Sequence, residues 1–153
     1  MIKQQNIRDL PAAQKDAHPA YSHVKKSFLP FGEARQCHVS VYEVPPQKAA
    51  YPYHYHHKNE EVFYILSGEG VLRTPEGERP VMPGELIYFP ADASGAHKLT
   101  NTSDSEMLVY IDFDTSNDID VCVYPDSGKL GVWGKGINRV YPADGDVDYY
   151  QGE

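Results

Sequence analysis

Between Cys37 and Phe113 the chain is cut into short runs of alternating or apolar residues, each closed within a few positions by Gly, Pro or Asp. This spacing constrains the fold more than any other feature. Residues 37–44 (CHVSVYEV) alternate, with Val39 and Val41 on one face. Pro45 and Pro46 end that run, and 51–57 is a short extended piece. Residues 61–66 (EVFYIL) form the strongest strand pattern and turn at Ser67-Gly68-Glu69-Gly70. Further strands are expected at 71–74, 80–82, 85–89, 97–100 and 106–113, with turns at PEGE (75–78) and Pro83-Gly84. Seven or eight short strands at such spacing indicate an antiparallel sandwich or barrel. The 12 Tyr, 12 Gly and 12 Pro agree with this, because a helical bundle would not tolerate them.

The strand at 61–66 is apolar on both faces. Phe63 and Ile65 point one way, and Val62, Tyr64 and Leu66 point the other. One face can fill a barrel. The other needs a cover as well, supplied by the N-terminal arm, the C-terminal segment or a second subunit. A homodimer is therefore expected.

The remaining chain carries weaker signals. Residues 1–35 are polar and irregular, broken by Pro11, Pro19, Pro30 and Gly32, and suit an arm or a short edge strand. Residues 120–125 (DVCVYP) resemble one more strand, while 131–137 is Gly-rich around the single Trp. Asp144, Asp146 and Asp148 alternate like the start of a calcium loop, but Tyr149 stands where that loop needs Gly, so the segment reads as a solvated tail. The 153 residues make one domain. A net charge of −8 argues against nucleic acid and against an anionic membrane surface as partners. No apolar stretch approaches the ~20 residues of a membrane span, and the first residues lack a signal-peptide pattern, so a cytoplasmic protein is expected. Cys37 and Cys122 match no metal spacing and read as two buried free thiols.

Three of the seven histidines fall within four residues: His54, His56 and His57. His54 and His56 are two apart in an extended segment, so they share a face. Glu61 opens the next strand, and His97 heads a later one. Three imidazoles and one carboxylate at a barrel mouth suit a divalent transition metal, with positions left open for water, O₂ or a chelating substrate. Glu60 faces oppositely to Glu61. His57 points away from His54 and His56 and reads as a rim residue. His18, His23 and His38 have no ligand spacing and read as ordinary surface or core histidines.

Taken together these residues resemble the two motifs of the cupin superfamily. His54-x-His56-x4-Glu61-x6-Gly68 fits the first motif, except that Lys48 stands where its leading Gly is expected. Gly84-x5-Pro90, then His97-x3-Asn101, follows the second. There Asp92 replaces the motif Gly, and the loop before His97 is two residues longer. The resemblance implies an all-β double-stranded β-helix, a jelly-roll barrel over residues 37–113. Residues 1–36 form an N-terminal arm, and residues 114–153 a C-terminal strand and extension packed on the barrel. It implies His54, His56, Glu61 and His97 as ligands of a divalent metal: Fe, Mn, Ni, Zn or Cu.

The function implied is a metal-dependent enzyme acting on a small oxygen-rich substrate, by dioxygenase, isomerase or decarboxylase chemistry. A non-catalytic binding or sensing module is the alternative. A purely structural metal is disfavoured by the open coordination positions. Tyr53 and Tyr88 are candidate catalytic hydroxyls. Phe63, Tyr42, Leu99 and Met107 are candidate pocket residues, and Arg35 and Arg73 candidate clamps for a substrate carboxylate.

Overall fold

A computed structural model describes residues 2–153. Among them there is no α-helix, only three single turns of 3₁₀ helix. The first two strands, β1 (Ala12–His18) and β2 (Tyr21–Leu29), form a hairpin. Then come β3 (Cys37–Val44), β4 (Tyr55–His56), β5 (Glu61–Ser67), β6 (Gly70–Thr74), β7 (Gly77–Val81) and β8 (Leu86–Phe89). The chain continues with β9 (Lys98–Asn101), β10 (Leu108–Thr115), β11 (Ile119–Tyr124), β12 (Lys129–Gly134) and β13 (Ile137–Pro142). Among the described residues no helix is long and apolar enough to cross a membrane.

Two layers enclose the core. One is a six-stranded sheet in the order β1-β2-β3-β10-β5-β8. The other is made of β7-β6-β9 and β13-β12-β11-β4, joined edge to edge by a bridge between His54 and His97. All strand pairs are antiparallel, as a jelly roll requires.

The pleat sorts β5 as its sequence indicates. Glu61, Phe63 and Ile65 are buried, whereas Val62, Tyr64 and Leu66 are half-buried on the outer face. Inward residues of neighbouring strands lie opposite one another in rows. Val44 faces Leu108, and Tyr42 and Ile65 flank Tyr110. Ser40 and Phe63 flank Asp112, and His38 and Glu61 flank Asp114. The barrel interior thus grades from apolar at one end to acidic and histidine-rich at the other. Leu72, Val81, Ile87 and Leu99 complete the apolar end.

Two segments carry more strand than the sequence reading assigned. The stretch expected to be an arm or a short edge strand supplies β1 and β2, which extend the large sheet. β1 (AAQKDAH) has no apolar period because it is an exposed edge, held by backbone pairing and guarded by charge. The Gly-rich stretch around Trp133 forms the β12–β13 hairpin, which shows little amphipathic pattern because β13 is mostly exposed.

Candidate metal centre

His54, Glu61 and His97 each offer one donor atom, and these atoms lie within 4.8 Å of one another. His56 joins them from β4, its Nε2 3.8 Å from the Glu61 carboxylate. His97 Nε2 lies 3.3 Å from the other oxygen of Glu61. The four residues proposed as ligands therefore converge in the barrel interior.

Each imidazole is anchored through its other nitrogen. His54 Nδ1–H donates to the Pro52 carbonyl (2.8 Å), and His97 Nδ1–H to the Gly95 carbonyl (2.9 Å). A carbonyl only accepts, so both rings must carry the proton on Nδ1 and present a bare Nε2. His56 Nδ1–H donates to Asp120 Oδ2 (2.5 Å). Asp120 also accepts from the backbone N–H groups of Lys58 and Asn59. Burial works against its charge, but the hydrogen bond from His56 and these backbone donors hold its carboxyl below the usual range. Orienting partners of this kind are what metal-binding histidines need.

The electrostatics fit a cation. Burial lowers His54 to about 4 and pushes His97 well below its ordinary value, so both rings are neutral and ready to ligate. Burial, reinforced by Asp112 and Asp114, raises Glu61 well above a normal carboxyl. Burial and Asp114 raise Asp112 in the same way. His97 Nε2 is buried and has no hydrogen-bond partner. An orphaned acceptor facing a carboxylate is unfavourable by itself and is satisfied by a divalent ion. The donor set thus fits a transition metal.

Several site residues escaped the sequence reading. Asp112 and Asp114 reach the interior because β10 alternates Leu108, Tyr110, Asp112, Asp114 on one face. That period-two pattern was visible in the chain. His38, expected to be ordinary, has Nε2 2.6 Å from Asp114. Tyr51 sits near Glu61, Asp112 and Asp114, its hydroxyl 3.2 Å from that of Tyr42. Tyr124 stacks on His54 at 5.8 Å.

Other candidates lie elsewhere. Tyr88 is on the outer face of the large sheet, 57% exposed, and donates to Glu60. It pairs with Val62, and the pleat sends that pair outward. Tyr53 is buried beneath the Arg73 guanidinium, 4.1 Å from its ring centre. Arg73 itself is held bidentately by Asp126 (2.6 and 2.9 Å) and is not free to clamp a ligand. Phe63, Tyr42 and Leu99 belong to the packed core, and Met107 is exposed ahead of β10. His57 is exposed, 3.4 Å from Asp92, which agrees with a rim position.

The void beside His54, His97, Phe63 and Tyr110 is only about 10 Å³, room for one water. A cleft of about 690 Å³ opens at the same end of the barrel, between loop 31–35, residues 116–118 and the β12–β13 turn. Phe31 lines it and packs on His38 at 6.0 Å, and Arg35 lines it too.

Comparison with known proteins agrees with this architecture. The cupin domain family matches residues 40–114. A structure of a candidate sugar phosphate isomerase from Acidithiobacillus ferrooxidans is 29% identical, covers 96% of this chain and 95% of that one, and superposes with a TM-score of 0.77. A protein from Silicibacter pomeroyi described as a sugar phosphate isomerase of the cupin superfamily is 19% identical over 94% of each chain, with a TM-score of 0.82. The polyketide cyclase RemF from Streptomyces resistomycificus is 21% identical, covers 76% of this chain and 81% of its own, and gives 0.64. No curated protein sequence matches the chain. Motif spacing, jelly-roll topology and family match coincide, and residues 40–114 are a cupin domain.

Proposed function

We propose that this chain is a metal-dependent enzyme acting on a small oxygen-rich substrate, of isomerase type, with a phosphorylated hydroxy-carbonyl compound as the substrate class. The observation that carries the reading is the convergence of His54, Glu61 and His97, with His97 Nε2 buried and unpartnered. A divalent ion held by these residues and His56 would supply Lewis-acid polarisation of a substrate oxygen. Aldose–ketose interconversion also needs a group that moves a proton between neighbouring carbons. Asp114 suits that task. It stands between Glu61 and His38, with its carboxylate 2.6 Å from His38 Nε2. His38 in turn lies behind Phe31 at the cleft, so a proton on Asp114 has a route towards solvent. The 29% identical protein from Acidithiobacillus supports this chemistry over dioxygenase or decarboxylase alternatives.

A non-catalytic binding module is the second reading, favoured by the small void beside the histidines. The two are separated by incubating metal-loaded protein with aldose and ketose phosphates in D₂O. Metal-dependent interconversion, with deuterium entering next to the carbonyl, is expected. Binding without exchange or turnover would leave the module. Metal analysis of the purified protein tests the centre itself. Stoichiometric uptake of a transition metal is expected, lost in His56→Ala. Uptake well below one equivalent on titration refutes the centre.

A further inference from the structure

β11 presents three residues to the histidine side of the interior: Asp120, Cys122 and Tyr124. Two of them are accounted for, since Asp120 orients His56 and Tyr124 stacks on His54. Cys122 lies between them, directly opposite His56 in the β4–β11 pairing and only 1% exposed. Its sulfur and one ring nitrogen each of His54 and His56 lie within 4.8 Å of one another. His54 also belongs to the cluster with Glu61 and His97, so the two donor groups share a vertex. Donors this close need only small side-chain shifts to reach one ion, because metal–nitrogen and metal–sulfur bonds are ~2.0–2.3 Å long.

Burial pushes the Cys122 thiol up to about 12, and the polar groups of Tyr124 and Trp133 beside the sulfur work against that rise. Trp133 reaches the sulfur because Gly131 stands opposite Cys122: a Cβ at Gly131 would come within 2.7 Å of Trp133 Nε1. An indole N–H can only donate, so it stabilises negative charge on sulfur. An apolar buried thiol would need no such donor. Cys122 is the half-buried Cys37's only fellow cysteine, and Cys37 lies apart on β3.

We propose that Cys122 is a fifth protein ligand, a thiolate that binds the same ion as His54, His56, Glu61 and His97. The inference rests on the metal centre of the proposed function and adds to it a choice of metal. A sulfur donor biases the site towards Zn, Cu, Ni, Co or Fe and against Mn or Mg. On binding, the thiol releases its proton to solvent while a metal–sulfur bond forms.

The test uses the full chain loaded with Co²⁺. Wild type and Cys37→Ser are expected to show a sulfur-to-cobalt charge-transfer band in the near ultraviolet. Cys122→Ser should lose that band but keep the visible d–d bands that report the remaining ligands. In the same variant the ratio of Cd²⁺ to Mn²⁺ affinity should fall at least tenfold. Bound Co²⁺ without the near-ultraviolet band in wild type, or a band unchanged in Cys122→Ser, overturns the assignment and leaves the four-ligand centre standing. If Co²⁺ fails to bind wild type at all, the centre and the assignment fall together. Should Cys122→Ser not fold, Cys122→Ala gives the same comparison.

Discussion

Asp92 shows how a single position stores strain beside the site. It occupies the place of a motif Gly and has φ 74°, ψ −179°, a region that essentially only Gly visits freely. Its backbone N–H donates to the His56 carbonyl at 2.7 Å, which pins the loop to the ligand strand. Its side chain makes only the long, exposed contact to His57. Asp92→Gly should therefore raise stability by about 1 kcal/mol, read as a higher urea midpoint with an unchanged slope. His23 makes a second single-residue prediction. It is 2% exposed, packed on the Tyr42 and Tyr51 rings, with neither ring nitrogen hydrogen-bonded. Burial, helped by Lys15 and Lys25, lowers it to about 4. The unfolded chain takes up that proton near 6.5, so between 6.5 and 4 the unfolded state binds more protons and stability falls as pH drops. The lowered value corresponds to a loss on the order of 3 kcal/mol across that window. His23→Leu should lose less stability than wild type between pH 7 and pH 4.5, measured by urea unfolding in chelator. Equal losses would show that His23 is not among the acid-sensitive groups.

β10 is the element on which the molecule turns. One strand contributes Leu108 to the apolar end, Tyr110 to the middle and Asp112 and Asp114 to the polar end. Packing and chemistry are therefore separable along its length. Leu108 is fully buried among Val44 and the other core side chains. Leu108→Ala should cost about 2–5 kcal/mol in chelator-treated protein while leaving metal stoichiometry unchanged. A loss of metal binding in the folded variant would show that the two ends are coupled. β3, β5, β6, β9 and β10 were legible in the sequence because their apolar residues recur on a buried face, whereas β7 (GERPV) is exposed apart from Val81 and only its end at Pro80–Val81 was read as strand. β1 and β13 were not, because they are exposed edges whose side chains carry no such pattern. The inward register of β10 could have been read from YIDFD, where the two aspartates share the face of Tyr110.

At the scale of the whole molecule, the large sheet leaves an apolar outer face. Two cross-strand rows run over β3, β10, β5 and β8: Val39, Phe113, Val62 and Tyr88, then Val41, Ile111, Tyr64 and Leu86. Leu86 is 71% exposed and Phe113 42%. Val41 is already buried, but Leu86, Tyr88 and Phe113 stay open to solvent among the described residues, so the expected cover is a second copy of the chain. Light scattering should give a dimer for wild type at micromolar concentration and a monomer for Leu86→Glu combined with Phe113→Glu. A monomeric wild type would reject the dimer.

The sequence by itself determined the barrel and the four candidate ligands. Period-two apolar runs can bury only as sheet, and His54-x-His56 with Glu61 and His97 lie on local patterns of spacing. The tertiary structure alone decided what surrounds those ligands. Asp120, Cys122 and Tyr124 meet His54 and His56 because β11 pairs with β4 across more than 60 residues of chain. His38 and Asp114 meet through the β3–β10 register. Contacts of that kind depend on which strand becomes whose neighbour. That choice is made by the burial of whole sheets, and no local spacing records it.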